Sequence, residues 1–192
     1  MTATAARLQS SRPSGWWGMA LFVTGEATLF GTLFGTYLYL RLQSRHWPPN
    51  GIPSPKWALP LVLTAILVST SLPVHDALAS ARRGRLGRAR AALLVAACVQ
   101  VAYLVVTLTL YDHDLHRLEP SASAYASIYF TLLGAHAAHV AAGILLEVWL
   151  FLRLLRGLTR YRLVGLQATA FYWHFVNALA VLVVAVQLSP LL

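Results

Sequence analysis

The sequence predicts an all-α integral membrane bundle of five transmembrane helices, and three observations carry the prediction. Hydrophobic residues make up 58% of the 192-residue chain and charged residues only 11%, whereas an ordinary soluble domain carries about 25% charged residues. Five apolar stretches, about 16–40, 57–79, 91–111, 125–152 and 166–188, reach the roughly 20 residues that a bilayer-spanning helix needs. Ala and Leu dominate these stretches without alternation of period two, which favours helices over barrel strands of about ten residues each. Little chain is left for a soluble domain.

Residues 1–15 are rich in Ser, Thr and Ala with Pro13 and Gly15, the composition of a short cytoplasmic lead that ends at interfacial Trp16 and Trp17. The first apolar stretch is too long for a signal-peptide core, contains Glu26, and ends in Tyr37-Leu38-Tyr39-Leu40-Arg41 with no small-residue cleavage site. It is therefore expected to stay as a membrane span. Gly31 and Gly35 form a GxxxG pair among Thr28, Thr32 and Thr36, and small residues let helix backbones approach closely. This helix is expected to pack in the interior. Residues 46–55 hold Pro48, Pro49, Pro53 and Pro55, so they cannot continue a helix and are expected to form a stiff external connection.

The second stretch ends in His75 and Asp76, an interfacial polar pair, just before an arginine-rich loop. The third carries Cys98, the single cysteine, which rules out an intrachain disulfide or thiolate cluster and reads as apolar filler. The fourth sets Gly134, Ala138 and Ala142 at four-residue spacing, a second flat face for an interior helix. The fifth contains Tyr172-Trp173-His174-Phe175-Val176, followed by Asn177.

A net charge of +9 raises the possibility of a nucleic-acid partner, but the placement of the basic residues explains it as topology. Arg7 and Arg12, then Arg82, Arg83, Arg85, Arg88 and Arg90, then Arg153, Arg156, Arg160 and Arg162 all fall on one side of a five-span arrangement. Only Arg41, Arg45, Lys56 and Arg117 fall on the other, together with Asp112, Asp114 and Glu119. The positive-inside rule then predicts a cytoplasmic N-terminus and an external C-terminus, with no nucleic-acid partner.

Polar groups inside the spans are the candidate functional residues. Glu26 lies about ten residues into its helix, or roughly 15 Å along the axis, close to the midplane. A charge there costs about 2.5–3.5 kcal/mol on insertion scales, so the carboxyl should face protein as a proton-responsive group or a buried inter-helix contact. His136 and His139, three positions apart, project toward one side of the fourth helix. Two histidines without further Asp, Glu or Cys ligands in the helix do not complete a metal site, and no second feature supports a haem pocket around His174. The histidines are therefore read as hydrogen-bonding neighbouring helices, and Glu147 as snorkelling or pairing with Arg153 or Arg156.

Taken in order along the chain, these residues resemble subunit III of the haem-copper terminal oxidases in its five-helix bacterial form. The resemblance rests on Gly25-Glu26 with Leu29-Phe30 and Thr36-Tyr37, the Trp47-Pro48-Pro49 loop, Ser69-Thr70 with His75, and Tyr125-Ala126-Ser127. It continues through Gly134-x-His136-x-x-His139-Val140-x-x-Gly143 to Tyr172-Trp173-His174-Phe175-Val176. It implies a non-catalytic subunit of the bacterial cytoplasmic membrane that holds no haem or copper itself. Such a subunit packs on catalytic subunit I, meets subunit II only indirectly, binds phospholipids, and supports proton uptake and sustained turnover. The resemblance makes Glu26 the carbodiimide-reactive carboxyl, with His136 and His139 as its companions in proton-related or buried contact. It also makes Tyr172, Trp173, His174, Phe175 and Asn177 a helix-packing signature, to which the spacing of Gly31 and Gly35 adds a second packing element. Ala102, Gln167 and Asn177 stand where the family usually has carboxylates, which marks a divergent branch. Accessory proteins of nitric oxide reductases resemble subunit III too, and a small proton or solute transporter is a further reading of the same polar residues.

Overall fold

The computed structural model describes residues 14–48 and 58–188, so most of the N-terminal lead and of the proline-rich connection lie outside the described residues. The described chain forms α1 (Ser14–Gln43), α2 (Ala58–Ser69), α3 (Ser71–Arg82), α4 (Leu86–Leu115), α5 (Ala124–Leu155) and α6 (Arg160–Leu188). α2 and α3 are two halves of one span, which gives five helices long and apolar enough to cross a membrane. The helices outrun the apolar stretches because the polar residues flanking those stretches stay helical. α4, for instance, begins at Leu86 and ends at Leu115.

The break between α2 and α3 has a local cause. Pro73 has no N–H to donate to Ser69 four residues earlier, and its ring crowds that carbonyl. Around the break, Thr70 donates its backbone N–H to the Leu67 carbonyl at 3.1 Å and its hydroxyl to the same oxygen at 2.6 Å.

α6 is the hub. It packs against α1, α2, α3 and α5, and half of its most apolar window is buried, against 11% for α1. The fit at its centre is set by Trp173, which is fully buried and donates its indole N–H to the Thr70 hydroxyl at 2.8 Å, into the α2–α3 break. One turn further on, Asn177 donates to the Ser71 hydroxyl at 2.6 Å. On the other side of the ring, a Cβ placed on Gly143 of α5 would lie 2.6 Å from Trp173, so only glycine lets α5 and α6 close to this distance.

The two arginine-rich turns lie at one end of the bundle. Gly84 and Gly157, at φ +73° and +98°, make the tight reversals that L side chains resist. Arg90 joins the turns by donating from Nε and Nη2 to the Leu154 carbonyl at 3.2 and 2.7 Å. Arg88 makes a two-bond ion pair with Asp76 at 2.9 Å. At the opposite end Trp47 donates to the Tyr37 hydroxyl at 3.0 Å and meets Tyr125 edge-on at 4.9 Å. Ser123 caps α5 by accepting from the Ala126 N–H.

Three expectations are corrected. α1 is peripheral within the chain, and Gly31 and Gly35 face outward with nothing within 4 Å of a built Cβ. The reason is that the bulky residues of α1, Val23, Phe30 and Tyr37, take the inward face. On α5, Ala138 and Ala142 are exposed, and the close approach is made at Gly143, with a second, looser contact of Gly134 on Tyr111. Cys98 is exposed on α4 rather than buried as filler, because the inward stripe of that helix is Leu93, Ala96, Gln100 and Tyr103.

The Gly143 contact is testable. Gly143→Val is expected to lower the thermal midpoint of the detergent-solubilised chain by the equivalent of about 1–3 kcal/mol, the usual penalty of overpacking. Gly35→Ala should stay within about 0.5 kcal/mol, as for an exposed position. Helicity followed by circular dichroism on heating measures both, and equal effects would contradict the packing described here.

Candidate functional site

Glu26 and His139 are brought together from helices 113 residues apart in sequence, with Glu26 Oε2 2.9 Å from His139 Nε2. The hydrogen-bond pattern defines the chemistry of the contact. His139 Nδ1 lies 2.7 Å from the Ala135 carbonyl, and a carbonyl only accepts, so Nδ1 carries its hydrogen. Nε2 is then either a bare acceptor facing a carboxylic acid or a donor facing a carboxylate. In both cases one proton occupies the 2.9 Å gap, and the two forms differ only in which atom holds it. Such a fixed second nitrogen is what sets a histidine's role in proton transfer.

Neighbouring side chains hold the pair in place. The Tyr172 hydroxyl of α6 donates to the His139 carbonyl at 3.1 Å, and the Phe30 ring of α1 meets the imidazole edge-on at 5.1 Å. The side chains of His139 and Glu26 remain 16% and 22% exposed, so the pair stands at the flank of the bundle rather than in its core. A carboxyl at this depth faces protein on one side and the surroundings of the chain on the other.

His136 does not join them. It is buried in the bundle, and neither ring nitrogen has a hydrogen-bond partner among the described residues. Its i+3 neighbour turns to α1 while it turns inward, so the two histidines do not converge on a shared ligand. Among the described residues no group of three or more His, Cys, Asp and Glu side chains is placed to hold a metal ion.

In the Tyr172–Asn177 segment, Tyr172, Trp173 and Asn177 are buried and bonded as described, and Phe175 packs at the edge of the core. His174 differs. It is exposed and makes no hydrogen bond within the described residues, because it occupies the outward side of α6 between two inward-facing turns.

A further polar contact escaped the sequence reading. Glu147 is completely buried and does not pair with Arg153 or Arg156; its Oε1 accepts from Gln100 Nε2 at 3.1 Å. Arg153 instead lies over the Trp149 ring at 4.6 Å. The signal was present in the spacing, since Glu147 follows Val140 by seven residues and Gly143 by four, on the stripe that α5 buries. Its proximity to the arginines in sequence was the weaker cue.

Comparison with known proteins adds a family to this geometry. Residues 11–188 match the family model described as cytochrome c oxidase subunit III. The chain is 34% identical over 166 residues to the cytochrome bo(3) ubiquinol oxidase subunit 3 of Pseudomonas aeruginosa, covering 83% of this chain and 77% of that one. It is 30% identical over 162 residues to the cytochrome c oxidase subunit 3 of Synechocystis sp., covering 83% and 69% respectively. A third relative, the cytochrome c oxidase subunit 3 of Bacillus sp. (strain PS3), is 30% identical over 177 residues, or 88% of this chain and 82% of that one.

The Glu26–His139 contact predicts a measurable coupling. In a double-mutant cycle of Glu26→Ala and His139→Ala, scored by thermal midpoint, the two losses are expected to be non-additive by about 0.5–3 kcal/mol. Strict additivity would mean that the 2.9 Å contact contributes nothing.

Proposed function

The chain belongs to the cytochrome c oxidase subunit III family, and from that premise we propose that it is the non-catalytic membrane subunit that packs on catalytic subunit I of a bacterial haem-copper oxidase. Its place is the cytoplasmic membrane, with the arginine-rich turns on the cytoplasmic side. Redox cofactors belong to the partners, and the subunit's work is to support proton uptake and durable turnover.

The observation that carries this reading is the outward strip of α1. Gly25, Gly31 and Gly35 leave room for a Cβ with nothing within 4 Å. Thr24, Thr28 and Thr32 between them turn their hydroxyls back onto carbonyls of their own helix at 2.7–2.9 Å. The strip is flat, with its hydroxyls already paired, which suits close packing of another transmembrane helix. The Glu26–His139 pair lies on a different side of α1, toward α5, and its part-exposed edge leaves the single shared proton open to a neighbouring molecule.

A second feature supports lipid binding. α1, α5 and α6 enclose a groove of about 180 Å³ lined by Met19, Leu146, Trp149 and Ala168, with Arg153 and Arg162 at its rim. Apolar walls under a cationic rim suit an acyl chain beneath an anionic headgroup.

Three outcomes are expected. The chain purified alone shows no Soret band, and a stoichiometric haem spectrum would refute the non-catalytic assignment. Gly31→Leu combined with Gly35→Leu reduces recovery of the large partner subunit in mild detergent severalfold while leaving the melting of the isolated chain unchanged; normal recovery would place the interface elsewhere. Glu26→Gln assembles with a modest loss of turnover or durability, and loss of haem reduction in that variant would contradict an accessory role.

A further inference from the structure

Glu147 and Gln100 form a second buried polar pair, independent of Glu26 and His139 and of the reading above. Both side chains are completely buried between α4 and α5, and one hydrogen bond joins them, from Gln100 Nε2 to Glu147 Oε1 at 3.1 Å. The two atoms left over, Glu147 Oε2 and Gln100 Oε1, are both buried without a partner. Both are acceptors if the carboxyl is ionised. The ion pairs among the described residues are Arg88 with Asp76, His113 with Asp114, His116 with Asp112, and His139 with Glu26, so no cation pairs with Glu147. The nearest arginine on the facing helix, Arg90, lies ten residues away and is committed to the Leu154 carbonyl.

An ionised Glu147 would therefore place an uncompensated charge inside a membrane bundle, with one carboxylate oxygen and one amide oxygen of the bonded pair both unmatched. Each of those defects is expensive in a medium without water. A single proton removes both. Placed on Oε2, it neutralises the carboxyl and turns that oxygen into a donor aimed at the amide oxygen, while Oε1 keeps accepting from the amide nitrogen. A carboxylic acid and a primary amide then meet through two antiparallel hydrogen bonds, each group using one donor and one acceptor.

We propose that Glu147 is a proton-binding site of the bundle interior, held as the neutral acid in a two-bond pair with Gln100 that fixes the register of α4 against α5. The proton comes from water before the helices close. Two hydrogen bonds between the same two side chains set the relative height of the two helices in a way that the surrounding Ala and Leu contacts do not.

Infrared spectroscopy of the full chain reads the proton directly. The difference between the wild-type chain and Glu147→Gln is expected to show one carboxylic-acid C=O band that shifts in D2O. In Gln100→Leu the band should persist at higher frequency, because its carbonyl has lost the amide donor. Carboxylate bands alone in the difference spectrum, or an acid band insensitive to Gln100→Leu, would overturn the proposal. Stability supplies the second arm. Glu147→Gln preserves two hydrogen bonds as an amide–amide pair and should melt with the wild type, whereas Glu147→Leu strands the Gln100 amide and should melt lower. A fall in Glu147→Gln as large as that in Glu147→Leu would equally overturn it. If either variant fails to fold, isotope-edited spectra of the Glu26→Gln chain carrying 13C-glutamate decide between acid and carboxylate, because the one other glutamate left beside Glu147 is the exposed Glu119.

Discussion

The bundle depends on the seat of Trp173. One ring satisfies three requirements at once: its indole N–H reaches the Thr70 hydroxyl in the gap that Pro73 opens between α2 and α3, its six-membered face lies on the bare backbone of Gly143, and its bulk fills the centre of the main core cluster. A proline-broken helix in a membrane needs its freed polar groups satisfied by neighbours. Here the Thr70 hydroxyl turns back onto the Leu67 carbonyl and a neighbouring indole donates to that hydroxyl, adding one of the largest apolar surfaces available to the core. The position of α6 follows from this seat, and with it the two contacts one residue and four residues away, Tyr172 to the His139 carbonyl and Asn177 to Ser71. His139 is thus fixed by the same segment that fixes the core.

That arrangement explains why the polar residues of the membrane region fall into two kinds. Glu26 and His139 share a proton at the flank, partly open to whatever lies beside α1. Glu147 and Gln100 are closed off completely. Both pairs follow the rule that a buried polar group takes a partner, but only the first has a side exposed to another molecule, and only the first is geometrically able to exchange with one. His136 belongs to neither pair. With both ring nitrogens unpartnered among the described residues, it is the least satisfied polar group in the interior.

The number and type of helices were legible in the sequence because hydrophobic length alone decides them. The arginine clusters likewise marked turns that do share one end of the bundle, tied together by Arg90 and the Leu154 carbonyl. What composition did not reveal was facing. Gly31 and Gly35 in GxxxG spacing look the same whether the strip meets a helix of this chain or of another, and the inward side of α1 was decided instead by Val23, Phe30 and Tyr37 at seven-residue intervals. The meeting of Glu26 with His139 was equally beyond periodicity, since the pair depends on which of two adjacent faces α5 turns to α1. Glu147 could have been assigned from its stripe, yet nearby arginines offered a local alternative that the fold did not take.

The hub comes late in the chain. α6 is made after every helix it contacts, so as the polypeptide enters the bilayer α1, the broken α2–α3 span and α5 wait with faces that nothing earlier can cover. Until residues 166–183 arrive, Thr70 and Ser71 lack the side chains that complete them, and the gap over Gly143 stays open. The centre of the bundle is completed only by the last helix, and the same helix leaves His174 facing outward. A subunit built this way has an incomplete centre until its last helix is in place, which ties a finished core to a finished chain.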